Sequence, residues 1–104
     1  MELTVEIVAA GDEQPPAGAP VIVEIRDAAY QDVSSTTVAE TRTTSTGGDV
    51  VARATVSCDA RRGAIVWVHV DVDGDGRVST GDYITMQSYP VREGGAMRVE
   101  VRRV

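Results

Sequence analysis

The chain has no lysine and no phenylalanine, and its 104 residues include only one tryptophan, one histidine and one cysteine. A lone cysteine, Cys58, excludes an internal disulfide and leaves the redox compartment unassigned. Cys58 and His69 together are too few for a zinc site, which needs several such ligands. With aromatics at 4% the core must be aliphatic. Valine dominates it, and a stiff β-branched side chain suits a pleated sheet better than a helix. No run approaches the roughly 18 apolar residues of a membrane-spanning helix. The opening MELTVEIVAAG has no basic n-region and too short an apolar run for a secretory leader. The expectation is a chain made without a leader, or one whose leader lies outside this sequence.

Positive charge is carried by arginine alone, and acidic residues outnumber it to a formal net charge of −6. That balance argues against nucleic acid, which requires a basic face. Arg98, Arg102 and Arg103 cluster near the C-terminus and read as the solvated face of a strand. The acidity is local: Asp71, Asp73, Asp75 and Asp82 all lie in HVDVDGDGRVSTGDY (69–83), which points to a bound cation. Hydrophobic residues at 42% and charged residues at 25% are globular values, and the length fits one domain, 1–104.

Alternation with a period of two recurs along the chain. In ELTVEIVA (2–9) Leu3, Val5 and Ile7 share a face; in VIVEIRD (21–27) Val21, Val23 and Ile25 do. TTVAETRTT (36–44) is polar and β-branched and reads as an edge strand. VVARATVSC (50–58) places Val50, Ala52, Ala54, Val56 and Cys58 on one side, making Cys58 an inert core thiol rather than a nucleophile. AIVWVHVDV (64–72) is the most apolar run and reads as central, with Ile65, Trp67, His69 and Asp71 on the face opposite Val66, Val68, Val70 and Val72. YITMQSYPV (83–91) and AMRVEVRRV (96–104) complete seven strands, with turns at 11–20, 45–49, 59–63 and 92–95. The stretch AAYQDVSS (28–35) breaks the pattern. No segment carries a helical stripe, and there is no internal repeat. Seven short strands in this length predict an all-β, two-sheet sandwich of immunoglobulin-like or transthyretin-like type; pattern alone leaves their order open.

The twelve-residue calcium loop fits residues 71–82. Asp71, Asp73 and Asp75 take positions 1, 3 and 5, Gly76 the sharp bend, and Arg77 the position that ligates through its backbone carbonyl. Val78 is the apolar residue expected to pin the loop to a neighbour, Ser79 a water-mediated contact, and Asp82 the closing ligand. Calcium takes six to eight oxygens, and carboxylates on alternate residues of a curling loop converge on one point. Without a cation they repel: two unit charges ~4 Å apart cost about 1 kcal/mol even in water. Asp82 is one carbon shorter than the usual Glu, so two-oxygen closure is less assured, and the expected affinity is about 10⁻⁵ to 10⁻³ M, with magnesium competing. His69 is expected to be a half-buried structural histidine, with a supporting place beside the loop as the alternative. Trp67, Tyr83 and Tyr89 could form an aromatic patch if they lie on neighbouring strands, but core packing is the commoner use of such residues.

GDGRVSTG lacks the Gly-Lys-Ser/Thr ending of a phosphate loop, and carboxylates on one hairpin do not oppose each other as glycoside hydrolysis needs. The calcium loop has no entering helix, because GAIVWVHV is β-branched and alternating. DVDGDGRVSTGDYITMQSY is similar to one dockerin segment, but dockerins carry two. The segment PPAGAPVIVEIRDAAYQDVSSTTVAE (15–40), with its Pro-rich turn, a strand ending at Asp27, then Asp32 and a strand ending in VAE, resembles the opening of the YbaY/YscW-like family. VWVHVDVDGDGRVSTGDYITMQSYPV (66–91) resembles the strand–loop–strand ending in YPV of its relatives. The family comprises bacterial lipoproteins, including pilotin chaperones of type III secretion. The resemblance implies a small β-sandwich, no enzymatic activity, a protein partner and a place in the cell envelope or outside the cell. The expected function is therefore a non-enzymatic, calcium-binding β-sandwich that serves as an accessory or protein-binding module. A dockerin-like calcium-dependent docking module is the alternative, and helix over 82–89 is its signature.

Overall fold

The computed structural model describes residues 2–27, 36–57, 64–91 and 95–104. Its elements are seven strands: β1 (Glu2–Ala9), β2 (Pro20–Asp27), β3 (Thr36–Thr44), β4 (Val50–Ser57), β5 (Ala64–Val70), β6 (Tyr83–Ile84) and β7 (Ala96–Arg103). No helix occurs among the described residues. Cys58, the broken pattern at 28–35 and the turn at 59–63 lie outside them, as do three of the four residues of the turn at 92–95.

The sheet is all-β, as the alternation predicts, and hydrogen bonding runs through it in the order β3-β2-β5-β6-β7-β1-β4. β7 changes neighbours along its length. Residues 96–101 lie parallel to β1, with Thr4 opposite Ala96 and Ala9 opposite Val101, while Arg102 and Arg103 pair antiparallel with β6. The two layers of a sandwich are thus continuous through β7. The end strands β3 and β4, joined by the turn at 45–49, come together and nearly close the sheet into a barrel. Among the described residues β3 pairs with β2 alone and is the expected edge strand; β5 lies between β2 and β6 and is central.

The inward faces follow the period of two. Leu3, Val5 and Ile7 of β1, Val21, Val23 and Ile25 of β2, Val66, Val68 and Val70 of β5, and Val99 and Val101 of β7 are all fully buried. Each such side chain contributes about 1.5–3 kcal/mol relative to leaving it exposed. Two departures have local causes. In β4 a bulge sets Ile7 opposite Ala52 but Val8 opposite Val50, so Val51 and Ala52 are both buried and Val50, expected inside, is half-buried. The extra residue of a bulge shifts one side chain to the other face.

The second departure is the strand expected over 83–91, of which only Tyr83–Ile84 forms a ladder. His69 lies opposite Ile84, but Ile65 lies opposite Pro90, so pairing with β5 resumes two residues late. The surplus is taken up around Met86, Gln87 and Ser88, which are exposed. The outer faces carry polar pairs. Glu6 accepts from Arg53 (3.0 Å) and Arg98 (2.8 Å) across three strands, which holds its carboxyl below the ordinary range, chiefly through Arg53. Arg103 bonds Glu13 at 2.9 Å, so two of the three clustered C-terminal arginines are ion-paired. The three aromatics form no common patch. Tyr83 is buried in the core, whereas Trp67 lies outside under the Arg26 guanidinium at 4.0 Å. The Tyr89 hydroxyl accepts from the Glu100 N–H at 3.0 Å.

Candidate metal centre

The loop 71–82 joins β5 to β6, which pair antiparallel, so it is the tip of a hairpin. Both of its ends are tied to neighbouring chain. The Asp71 N–H donates to the Pro20 carbonyl at 2.8 Å, and the Val104 N–H donates to the Asp82 carbonyl at 2.8 Å. Alternation along β5 sends His69 and Asp71 to the face opposite Val68 and Val70. Yet His69 and Asp71 are only 4% and 3% exposed, unlike the half-buried Ile65 and Trp67 earlier on the same face.

Within the loop the backbone curls around the aspartates. The Gly76 N–H donates to Asp71 Oδ2 at 2.7 Å, the Arg77 N–H to Asp75 Oδ1 at 2.8 Å, and the Asp75 N–H to Asp73 Oδ1 at 3.4 Å. The result brings one oxygen each of Asp71, Asp73, Asp75 and Asp82 within 4.8 Å of one another. Gly76 makes the bend at φ +78°, a left-handed conformation that costs an L side chain about 1–2 kcal/mol. A Cβ there would meet nothing within 4 Å, so the cost of Gly76→Ala is backbone strain alone. Denaturant unfolding of that variant should report a loss of about 1 kcal/mol, with a clash-sized loss arguing against the conformation described.

The four carboxylates are not equivalent. Asp73 and Asp75 are exposed; Asp71 and Asp82 are buried, at 3% and 1%. Both oxygens of Asp82 are partnered. Its Oδ2 accepts from His69 Nε2 (2.8 Å) and the Ser79 N–H (3.1 Å), and its Oδ1 from the Val72 N–H (2.9 Å). Burial alone would raise its pKa, but His69 and the two backbone donors more than offset it and hold the carboxyl below its ordinary value. Asp71 differs in one atom: Oδ1 is buried with no hydrogen-bond partner. Burial, reinforced by the Asp73 and Asp82 carboxylates, pushes its pKa up despite the Gly76 N–H. Asp73 is held low, chiefly through its interaction with Asp71 and then through the Ser79 hydroxyl and the Asp75 N–H. A buried acceptor facing other acceptors is the arrangement a cation relieves.

The other expected loop positions divide. Arg77 is exposed, with its backbone N–H turned to Asp75. The Ser79 hydroxyl donates to Asp73 Oδ2 at 3.0 Å, so it braces one candidate ligand directly. Val78, expected to pin the loop, is 46% exposed; among the described residues there is no second loop of this kind for it to pack against. His69 is buried rather than half-buried, and its bond to Asp82 was legible only as a shared strand face with Asp71. Stretch 82–89 begins with strand Tyr83–Ile84 and holds no helix, so the docking-module signature is absent there.

No protein-family model matches the chain, and no curated protein does. Among solved structures, the chain is similar along its whole length to an alternative pilotin from the type II secretion system of Vibrio cholerae, covering 96% of that chain with a TM-score of 0.74 at 19% sequence identity. The arrangement of strands around one valine-rich core is therefore one that a secretion-system pilotin also adopts.

Proposed function

We propose that this chain is a non-enzymatic accessory module of the cell envelope that binds another protein and carries one divalent cation, calcium first, in the 71–82 loop. The ligands are the carboxylates of Asp71, Asp73, Asp75 and Asp82 with the backbone carbonyl of Arg77. One observation carries the metal reading: the buried, unpartnered Oδ1 of Asp71 sits in a group of four converging carboxylates. Burying a charged oxygen without a partner is costly, and a cation at that point removes the cost and the mutual repulsion together. The ion then stiffens a hairpin whose ends are already tied down, so its role is to stabilise rather than to switch. The protein-binding role draws on the fold shared with the pilotin.

The test is calorimetric titration of the chelator-treated chain with calcium. One ion per chain is expected, with a Kd of about 10⁻⁵ to 10⁻³ M. A flat titration at millimolar calcium sinks the metal reading.

A further inference from the structure

Ion selectivity in an oxygen-lined loop depends on how many oxygens the protein can supply and how far apart they sit. Calcium takes six to eight at 2.3–2.6 Å, whereas magnesium demands six in a near-ideal octahedron at about 2.0–2.1 Å. The usual closing Glu gives two oxygens. What Asp82 can give is set by what already holds it.

An ionised carboxylate offers about four lone-pair positions. At Asp82 three are taken by protein donors: His69 Nε2 and the Ser79 N–H on Oδ2, and the Val72 N–H on Oδ1. The Ser79 hydroxyl lies a further 3.4 Å from Oδ2. Because an ionised carboxylate only accepts, His69 must carry its proton on Nε2. One lone pair remains, on Oδ1. The loop then supplies one oxygen from each of Asp71, Asp73, Asp75 and Asp82 and one carbonyl from Arg77, and a water at Ser79 completes an octahedral set with no further oxygen from Asp82.

We infer that His69 sets the ion specificity of the loop: by holding Asp82 to single-oxygen ligation, it closes the site at six donors and brings magnesium and manganese into competition with calcium. His69 is a positioning residue here, acting through Asp82, and the inference rests on the metal reading above. Its place on β5 fits the role, since the strand fixes the ring from one side while Trp67 lies beside it at 5.8 Å between ring centroids. Outer partners of metal ligands typically change affinity by about 10–100-fold when removed.

The experiment measures calcium, magnesium and manganese affinities separately on the full chain, wild type and with His69→Leu and His69→Gln. Wild type should prefer calcium over magnesium by less than about a hundredfold, since neither coordination number nor ligand flexibility favours the larger ion. Leucine frees one lone-pair position on Oδ2, which keeps the Ser79 N–H, and lets that oxygen serve the ion as a second ligand, so the calcium-to-magnesium ratio should rise about tenfold or more. Glutamine keeps an N–H donor and should hold the ratio near wild type. Circular dichroism of each metal-free variant separates a folding defect from a change in selectivity, because unfolding lowers both affinities together. Binding of both ions with the ratio unmoved in His69→Leu overturns the role of His69 alone. So does a wild-type preference for calcium beyond about 1,000-fold, a result that needs no variant. Binding of no ion to wild type overturns the metal reading, and this inference with it.

Discussion

Replacing Asp71 by Asn should make the metal-free chain more stable and abolish its response to calcium. In wild type, calcium at about a hundred times its Kd adds about 2.7 kcal/mol of stability. For a chain of this size that is roughly a 10–20 °C rise in Tm. Asp71→Asn keeps an oxygen for the Gly76 N–H, which now bonds Asp71 Oδ2, but removes the buried charge. The metal-free variant should gain about 1 kcal/mol, the lower end of the cost of an unsatisfied buried group. The pH dependence follows from the raised pKa of Asp71. A carboxyl whose folded pKa is raised contributes its stability below the unfolded value and loses it as pH rises through the folded value. The advantage of the Asn variant should therefore appear at neutral pH and vanish on acidification below the ordinary carboxylate range. Thermal melts with calcium and with chelator, at two pH values, read all of this. A calcium-dependent rise that survives Asp71→Asn would place the ion elsewhere.

Asp82, equally buried and in the same loop, should behave in the opposite way. Asp82→Ala leaves His69 Nε2 and the backbone N–H groups of Val72 and Ser79 without their acceptor. Leaving a buried donor without its acceptor costs about 1–3 kcal/mol, and this loss should appear in the metal-free chain by denaturant unfolding. The lowered pKa of Asp82 gives the matching pH signature. Its contribution is present above the unfolded carboxylate value and is lost as pH falls through the depressed folded value. A metal-free Asp82→Ala chain as stable as wild type would mean that these bonds do not form in solution. The contrast between the two variants also separates ligation from scaffolding, since both should lose calcium binding but only one should lose stability without it.

The hairpin, its twelve-residue span and the four carboxylates were all legible in the sequence, because a metal loop is local and its ligands come from one short stretch. The unequal burial of those carboxylates was not. Asp71 and Asp73 look alike in sequence, yet only Asp71 is buried, its N–H tied to Pro20 at the start of β2. Periodicity assigns His69 a face but not what covers it, and so predicts a half-buried residue where the fold buries it. An apolar residue at the position of Val78 pins such a loop to a neighbouring one, and among the described residues there is none, so Val78 stays exposed.

By itself the sequence determined the all-β class, most strand bounds, the inward valines and the place of the acidic loop. Each of these depends on residues within one segment, where side chains alternate every second position. Tertiary structure alone decided that β1 runs parallel to β7, that β7 joins two layers, that a bulge turns Val51 inward, and that Asp71 and Asp82 have opposite fates. Strand order and bulge position reflect contacts between residues far apart in the chain, and a single repeating pattern is compatible with many such pairings. Burial of a charge depends on which neighbours bring donors to it, and those donors come from His69 on β5 and the loop's own backbone once folded.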